Sequence, residues 1–138
     1  MMEGLAERLI AEEFRDPLGA GGAVRPAFRV CDRLRASLTV LTGREGFRAL
    51  LARTLVLARA KADWIGELTL AADGSLVVPP GLEERVGEEP LRRGELVLVA
   101  TFLEVLVRLI GVPLTLRLLQ DIWPGVSPGD FESRGEHA

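Results

Sequence analysis

The side chains able to do chemistry in this 138-residue chain are few and far apart. Cys31 is the lone cysteine and His137 the lone histidine, so a thiolate activated by an imidazole would need residue 31 to meet the end of the chain. Cys31 also falls on an apolar helical stripe, where it reads as a small core residue and not as a nucleophile. Acids stand side by side at Glu12-Glu13, Glu83-Glu84 and Glu88-Glu89. Neighbours on a helix diverge by about 100°, so no such pair converges on one metal or one water, and each reads as solvated surface. The Gly-Ala-Gly-Gly at 19–22 could suggest a phosphate cradle. That role needs a preceding strand and a Gly-Lys-Ser/Thr ending, and Ala-Val-Arg-Pro follows instead. There is no Cys/His cluster with ligand spacing, no Gly-x-Ser-x-Gly, no tyrosine and only two tryptophans. The expectation is a protein without catalytic residues, cofactor or metal.

Composition narrows the class further. The chain suits one domain, and 48% apolar with 27% charged residues marks a globular protein. A start of MMEGLAERLIAEEFR has acids throughout its apolar pattern, unlike a secretory leader. With a single cysteine as well, the expected compartment is the cytoplasm. The basic residues are sixteen arginines and Lys61, a skew that reads first as GC-rich bacterial codon usage and second as guanidinium chemistry. Charge is uneven under the net −3. Residues 24–62 hold nine cations against Asp32 and Glu45, whereas 63–104 hold nine acids against Arg85, Arg92 and Arg93. Either the two halves attract each other, or the basic half meets an acidic partner.

The periodicities predict a mainly α fold: a helical bundle around a long apolar helix at about 92–110, with one β-hairpin at about 66–79. Residues 1–16 are expected to form an amphipathic N-terminal helix on Leu5, Leu9, Ile10 and Phe14, a detachable arm on a Gly/Pro linker at 17–26. A single domain follows over 27–123, then a flexible polar tail at 124–138. Inside the domain, Ala27, Cys31, Leu34, Leu38 and Leu41 stripe a second helix. Thr42 and Glu45 form a capping box for a third, whose packing face includes Phe47, Leu50, Leu51, Thr54, Leu57, Ala58 and Ala62. The short join makes these two an antiparallel hairpin. Asp73-Gly74 between apolar runs signals a β-turn with positive φ at both central residues, and Trp64 fills the angle between that hairpin and the bundle. Residues 80–95 connect through one helical turn at 82–86. Gly111 then stops the long helix and Pro113 opens the last one.

The long helix raises the functional question. From Leu96 to Ile110 only Thr101, Glu104 and Arg108 are not apolar. These three fall within about 60° of one another and form a polar seam, with Glu104 and Arg108 placed for an ion pair. A bilayer span needs about twenty apolar residues and tolerates charge poorly, so the expectation is no membrane span. The helix is instead the axis of a soluble bundle with more apolar surface than the chain can cover. Leu98, Phe102, Val105, Leu106 and Leu109 are the candidate interface for a homodimer or a partner protein, unless the first helix folds back to cover them. The leading expectation is therefore a self-associating accessory or regulatory module. The alternatives are a nucleic-acid-binding protein using Arg29, Arg33, Arg48 and Arg59 as a basic face, and a carrier sheltering an apolar ligand between the hairpin and the long helix.

Overall fold

The computed structural model describes residues 2–15, 25–127 and 129–130. In chain order it contains α1 (Glu3–Arg15), α2 (Pro26–Arg59), a 3₁₀ turn (Asp63–Glu67), β1 (Thr69–Leu70), β2 (Leu76–Val77), α3 (Leu82–Val86) and α4 (Glu88–Ile122). The protein is mainly α, with one long apolar helix and a two-stranded antiparallel hairpin.

Both long helices are broken by one glycine. Gly43 (φ 78°, ψ 164°) interrupts α2 and Gly111 (φ 84°, ψ 166°) interrupts α4, in a backbone region essentially closed to residues bearing a Cβ. Each break reverses the chain. A straight helix would separate Phe28 from Arg59 by roughly 45 Å, yet the Phe28 ring lies 6.4 Å from that of Trp64, five residues past Arg59. In α4, Glu95 pairs with Arg25 and the Ile122 carbonyl accepts from Arg33 at 3.4 Å. Arg25 and Arg33 are about 12 Å apart along one helix, whereas a straight α4 would hold Glu95 and Ile122 roughly 40 Å apart.

Counting from these contacts sets the relative direction of the limbs. Arg33 lies ten residues before Gly43 and Ile122 eleven after Gly111, while Arg25 and Glu95 precede their glycines by eighteen and sixteen. The first limbs of α2 and α4 therefore run side by side in one direction, and both reversals sit at the same end of the bundle. The antiparallel pair of helices expected at 27–62 is present, but its turn is built differently. Thr42 does not cap the following helix. Its hydroxyl donates back to the Leu38 carbonyl (3.0 Å) and to that of Gly43 (3.1 Å).

The first limb of α4 is the buried axis. Leu98, Phe102, Leu103 and Leu106 are fully buried, and Phe102 meets Phe47 of α2 with ring centroids 5.9 Å apart. The helix begins at Glu88, earlier than the expected 92, because Pro90 falls in the first turn, where no N–H is needed. Gly94 allows a close approach: a Cβ there would collide with the Trp64 indole. The Trp64 N–H donates to the Pro90 carbonyl (3.0 Å), so Trp64 fills the angle between α2 and α4 and not the one beside the hairpin. By length and composition α4 is apolar enough to cross a membrane, and 44% of its most apolar eighteen-residue window is buried within the protein.

The β-hairpin pairs Thr69 with Val77 and Leu70 with Leu76. Its turn differs from the two-residue form expected. The Gly74 N–H donates to the Ala71 carbonyl and the Ala71 N–H to the Ser75 carbonyl, so three residues loop out. Only Gly74 takes positive φ, and the Asp73 carboxylate accepts from the Ser75 N–H and hydroxyl. That is the longer turn favoured when glycine follows a tight type I bend. The hairpin docks on the second limb of α2, with Gly74 over the Phe47 ring and Arg48 donating to the Ala71 carbonyl (3.1 Å).

α1 folds back on its own chain, burying Leu5, Ala6 and Leu9 against α2 and α4. Of the expected 17–26 linker, residues 17–24 lie outside the described residues, while Arg25 and Pro26 belong to the packed body. Beyond the expected domain end at 123, Val126 is also buried. His137 and the rest of 131–138 lie outside the described residues.

Candidate binding surface

The polar seam of α4 faces an open cleft. Its second wall is the second limb of α2, which contributes Leu50, Arg53, Leu57 and the following Lys61. Thr101, Glu104, Val105, Arg108 and Leu109 supply the wall on α4, and the cleft holds about 400 Å³. Both walls follow helical steps of three or four residues, as one face of each helix should. Leu57 (42% exposed) and Leu109 (57%) give the cleft an apolar lining open to solvent. The Glu104–Arg108 ion pair expected from their spacing is not formed. Among the described residues, neither these two nor Arg53 or Lys61 has an ion-pair partner. Thr101 is 92% buried yet lines the cleft, and its hydroxyl has no hydrogen-bond partner among the described residues.

Beside the cleft, the end of the bundle carrying both reversals exposes apolar side chains beside Thr42, Arg44 and Glu45. Val40 (84% exposed) and Leu41 (63%) precede Gly43, and Val112 (43%) and Leu114 (48%) follow Gly111. The candidate interface expected on α4 therefore needs correction. Leu98, Phe102 and Leu106 are fully buried, Val105 keeps 8% exposure at the wall of the cleft, and Leu109 alone of the five is widely exposed. These positions are covered by α2, α1 and the returning limb of α4. No periodicity within α4 could show that cover, because it depends on the two reversals.

The expected basic face dissolves for a similar reason. Arg29 and Arg33 turn inward onto Glu13, which is 2% exposed. The Glu13 carboxylate accepts from Arg33 (2.9 Å), from Arg29 (3.4 Å) and from the Trp123 indole N–H (2.7 Å), and its backbone carbonyl accepts from Arg29. Arg33 also stacks on the Trp123 ring at 5.6 Å. Arg48 is bound to the hairpin, and Arg59, on the same limb, lies against Gly66 of the 3₁₀ turn. The four arginines share no outer face.

Glu13 also overturns the reading of Glu12-Glu13 as a solvated pair. Its signal was available: Leu5, Leu9 and Glu13 are four apart and share the buried stripe, while Phe14 stands off it and is 74% exposed. Sequence reasoning likewise missed Arg25. It binds the buried Glu95 through two nitrogens (2.9 and 3.2 Å) and Glu88 through a third contact at 2.9 Å. Hydrogen bonds from Arg25 and then Arg92 hold the Glu88 carboxyl down to about 2. Those from Glu95 and then Glu88 raise Arg25 above its ordinary value. Cys31 is buried in the core, and burial, with a smaller contribution from Asp32, pushes its thiol up to about 12. A thiol held there is no nucleophile near neutral pH. Among the described residues, no group of three His, Cys, Asp or Glu side chains is placed to hold a metal ion.

No protein family, curated protein or solved structure matches the chain.

Proposed function

We propose that this protein is a small cytoplasmic interaction module, a self-associating accessory or regulatory subunit whose output is binding and which has no catalytic activity of its own. The observation that carries this reading is the apolar end of the bundle. Val40 and Leu41 before one glycine reversal, and Val112 and Leu114 after the other, are all exposed at the same end of the bundle. Isolated exposed apolar residues are ordinary, but four on one end support a contact surface. A closed two-fold dimer through that end is the simplest assembly that covers it. It also replaces the interface expected on the axis of α4 with one on residues that other molecules can reach.

Light scattering coupled to gel filtration tests the reading. The intact protein is expected at twice the 15.0 kDa chain mass. Val40→Asp with Leu41→Asp is expected to return it to one chain, with an unchanged helical spectrum. A single-chain mass for the intact protein at millimolar concentration overturns the proposal, as does recovery only from a detergent-extracted bilayer fraction.

A further inference from the structure

We propose that the cleft between the second limb of α2 and α4 binds a long-chain carboxylate. Its apolar chain lies on Leu57, Val105 and Leu109, and its one negative charge sits in the field of Arg53, Lys61 and Arg108 along the two walls. This inference concerns a different surface from the apolar end and does not depend on self-association.

Three observations point to this occupant. The volume of about 400 Å³ suits a small molecule and lies in the range of ligand clefts. The charges around it are three cations against Glu104 alone, none of them in an ion pair among the described residues. A neutral apolar ligand would leave those cations unanswered, and a hydrophilic anion would leave the leucines uncovered, so the complementary molecule carries both an apolar body and one negative group. The third is Thr101, whose hydroxyl meets solvent at the cleft without a protein partner among the described residues, and a carboxylate oxygen accepts the hydrogen bond that it has to give.

The test uses the full chain and the fluorescent fatty acid 11-(dansylamino)undecanoate, displaced by dodecanoate or by dodecan-1-ol at low ionic strength. Dodecanoate is expected to displace the probe saturably at micromolar concentration, and the alcohol at least tenfold less well. Arg53→Gln with Arg108→Gln is expected to weaken dodecanoate at least tenfold. Glu104→Gln, which removes the one opposing charge, should tighten it several-fold, and Thr101→Val should weaken it a few-fold. The arginines and Glu104 make no ion pairs, so these variants should melt like the parent. Absence of saturable probe binding overturns the proposal, as does equal displacement by the alcohol or an unchanged affinity in the double variant. If the cleft instead seats a second copy of the chain, Arg53→Gln with Arg108→Gln will change the mass by light scattering while dodecanoate fails to bind, which also overturns it. The mass of the intact protein is read separately, so failure here leaves the self-association test standing.

Discussion

Replacing Glu13 should show how α1 and the segment after α4 are held to the body. The carboxylate is 2% exposed and joins three parts of the chain: its own helix, Arg29 and Arg33 of α2, and Trp123 just beyond α4. Glu13→Ala takes the carboxylate from Arg29, whose side chain is 17% exposed and keeps its bond to the residue-13 carbonyl, and leaves the Trp123 N–H without its acceptor in a residue that is 4% exposed. Removing one partner of a buried pair costs about 3–5 kcal/mol, and an orphaned buried donor about 1–3. Arg33 is 42% exposed and can turn to water, so its share is screened. Because Arg29 keeps its bond to the residue-13 carbonyl, its share falls below the buried-pair range to about 1–2 kcal/mol. With the orphaned Trp123 donor the sum is about 3 kcal/mol, which a urea titration followed by tryptophan fluorescence can measure. Glu13→Gln still accepts from Trp123 and should lose about half as much. Hydrogen exchange should locate the effect, with α1 amides losing more protection than those of α4. Glu13→Leu with Arg29→Met should recover only the share that comes from the charge, because the Trp123 N–H still lacks an acceptor. A Glu13→Ala variant within about 0.5 kcal/mol of the parent refutes the reasoning.

Three further outcomes follow from the geometry. Gly43→Ala meets no atom within 4 Å but must hold φ near 78°, so it should cost about 1–3 kcal/mol of unfolding free energy from backbone strain alone. Thr115→Val should instead stabilise the protein by about 1 kcal/mol, read in the same titration, because the Thr115 hydroxyl is buried with no hydrogen-bond partner. Thr42 and Thr54 bond back to the carbonyl four residues earlier, whereas that position for Thr115 is Gly111, where the helix breaks. Glu88 is held below its ordinary value by Arg25 and then Arg92. The unfolded chain therefore binds the proton more readily, and the contribution of Glu88 is full above about pH 4.5 and lost as pH falls towards about 2. Urea midpoints of the parent and of Glu88→Gln should differ at pH 6 and converge near pH 2.

How much of this could be read from the chain depended on whether the cause was local. The Asp73-Gly74 turn, the helical turn at 82–86, the stop at Gly111 and the restart at Pro113 each rest on residues within one turn of backbone, and all four lie where the sequence implies. The turn at Gly43 was legible as a join, but Thr42 and Glu45 drew attention to a cap that the hydroxyl does not make. What escaped was set by packing between distant segments. The apolar circumference of α4 meant that it needed cover, yet the α2 limbs and α1 could have covered any side. The seam gave the better clue: Thr101, Glu104 and Arg108 mark the face of α4 that stays open. A polar residue within an apolar helix says more about where the cover ends than the apolar residues around it do.

The charge asymmetry of the chain leads to the same place. If the basic and acidic halves simply neutralised each other, ion pairs between them would be spread along α2. They are instead concentrated on Arg25, which meets Glu83, Glu88 and Glu95. Arg29 and Arg33 are claimed by Glu13 from outside the acidic half, and Arg35 by neighbouring Asp32. The acidic half answers part of its own charge through Arg85 with Glu67 and Arg92 with Glu88. Arg44, Arg48, Arg53, Arg59 and Lys61, on and just beyond the second limb of α2, are thus left with no ion pair among the described residues. An uncompensated row of cations on one helix raises the local potential and draws anions to it. Arg53 and Lys61 of that row border the apolar cleft. The whole row can attract a negative group, and at these two the apolar lining beside them suits one that brings a hydrocarbon chain with it.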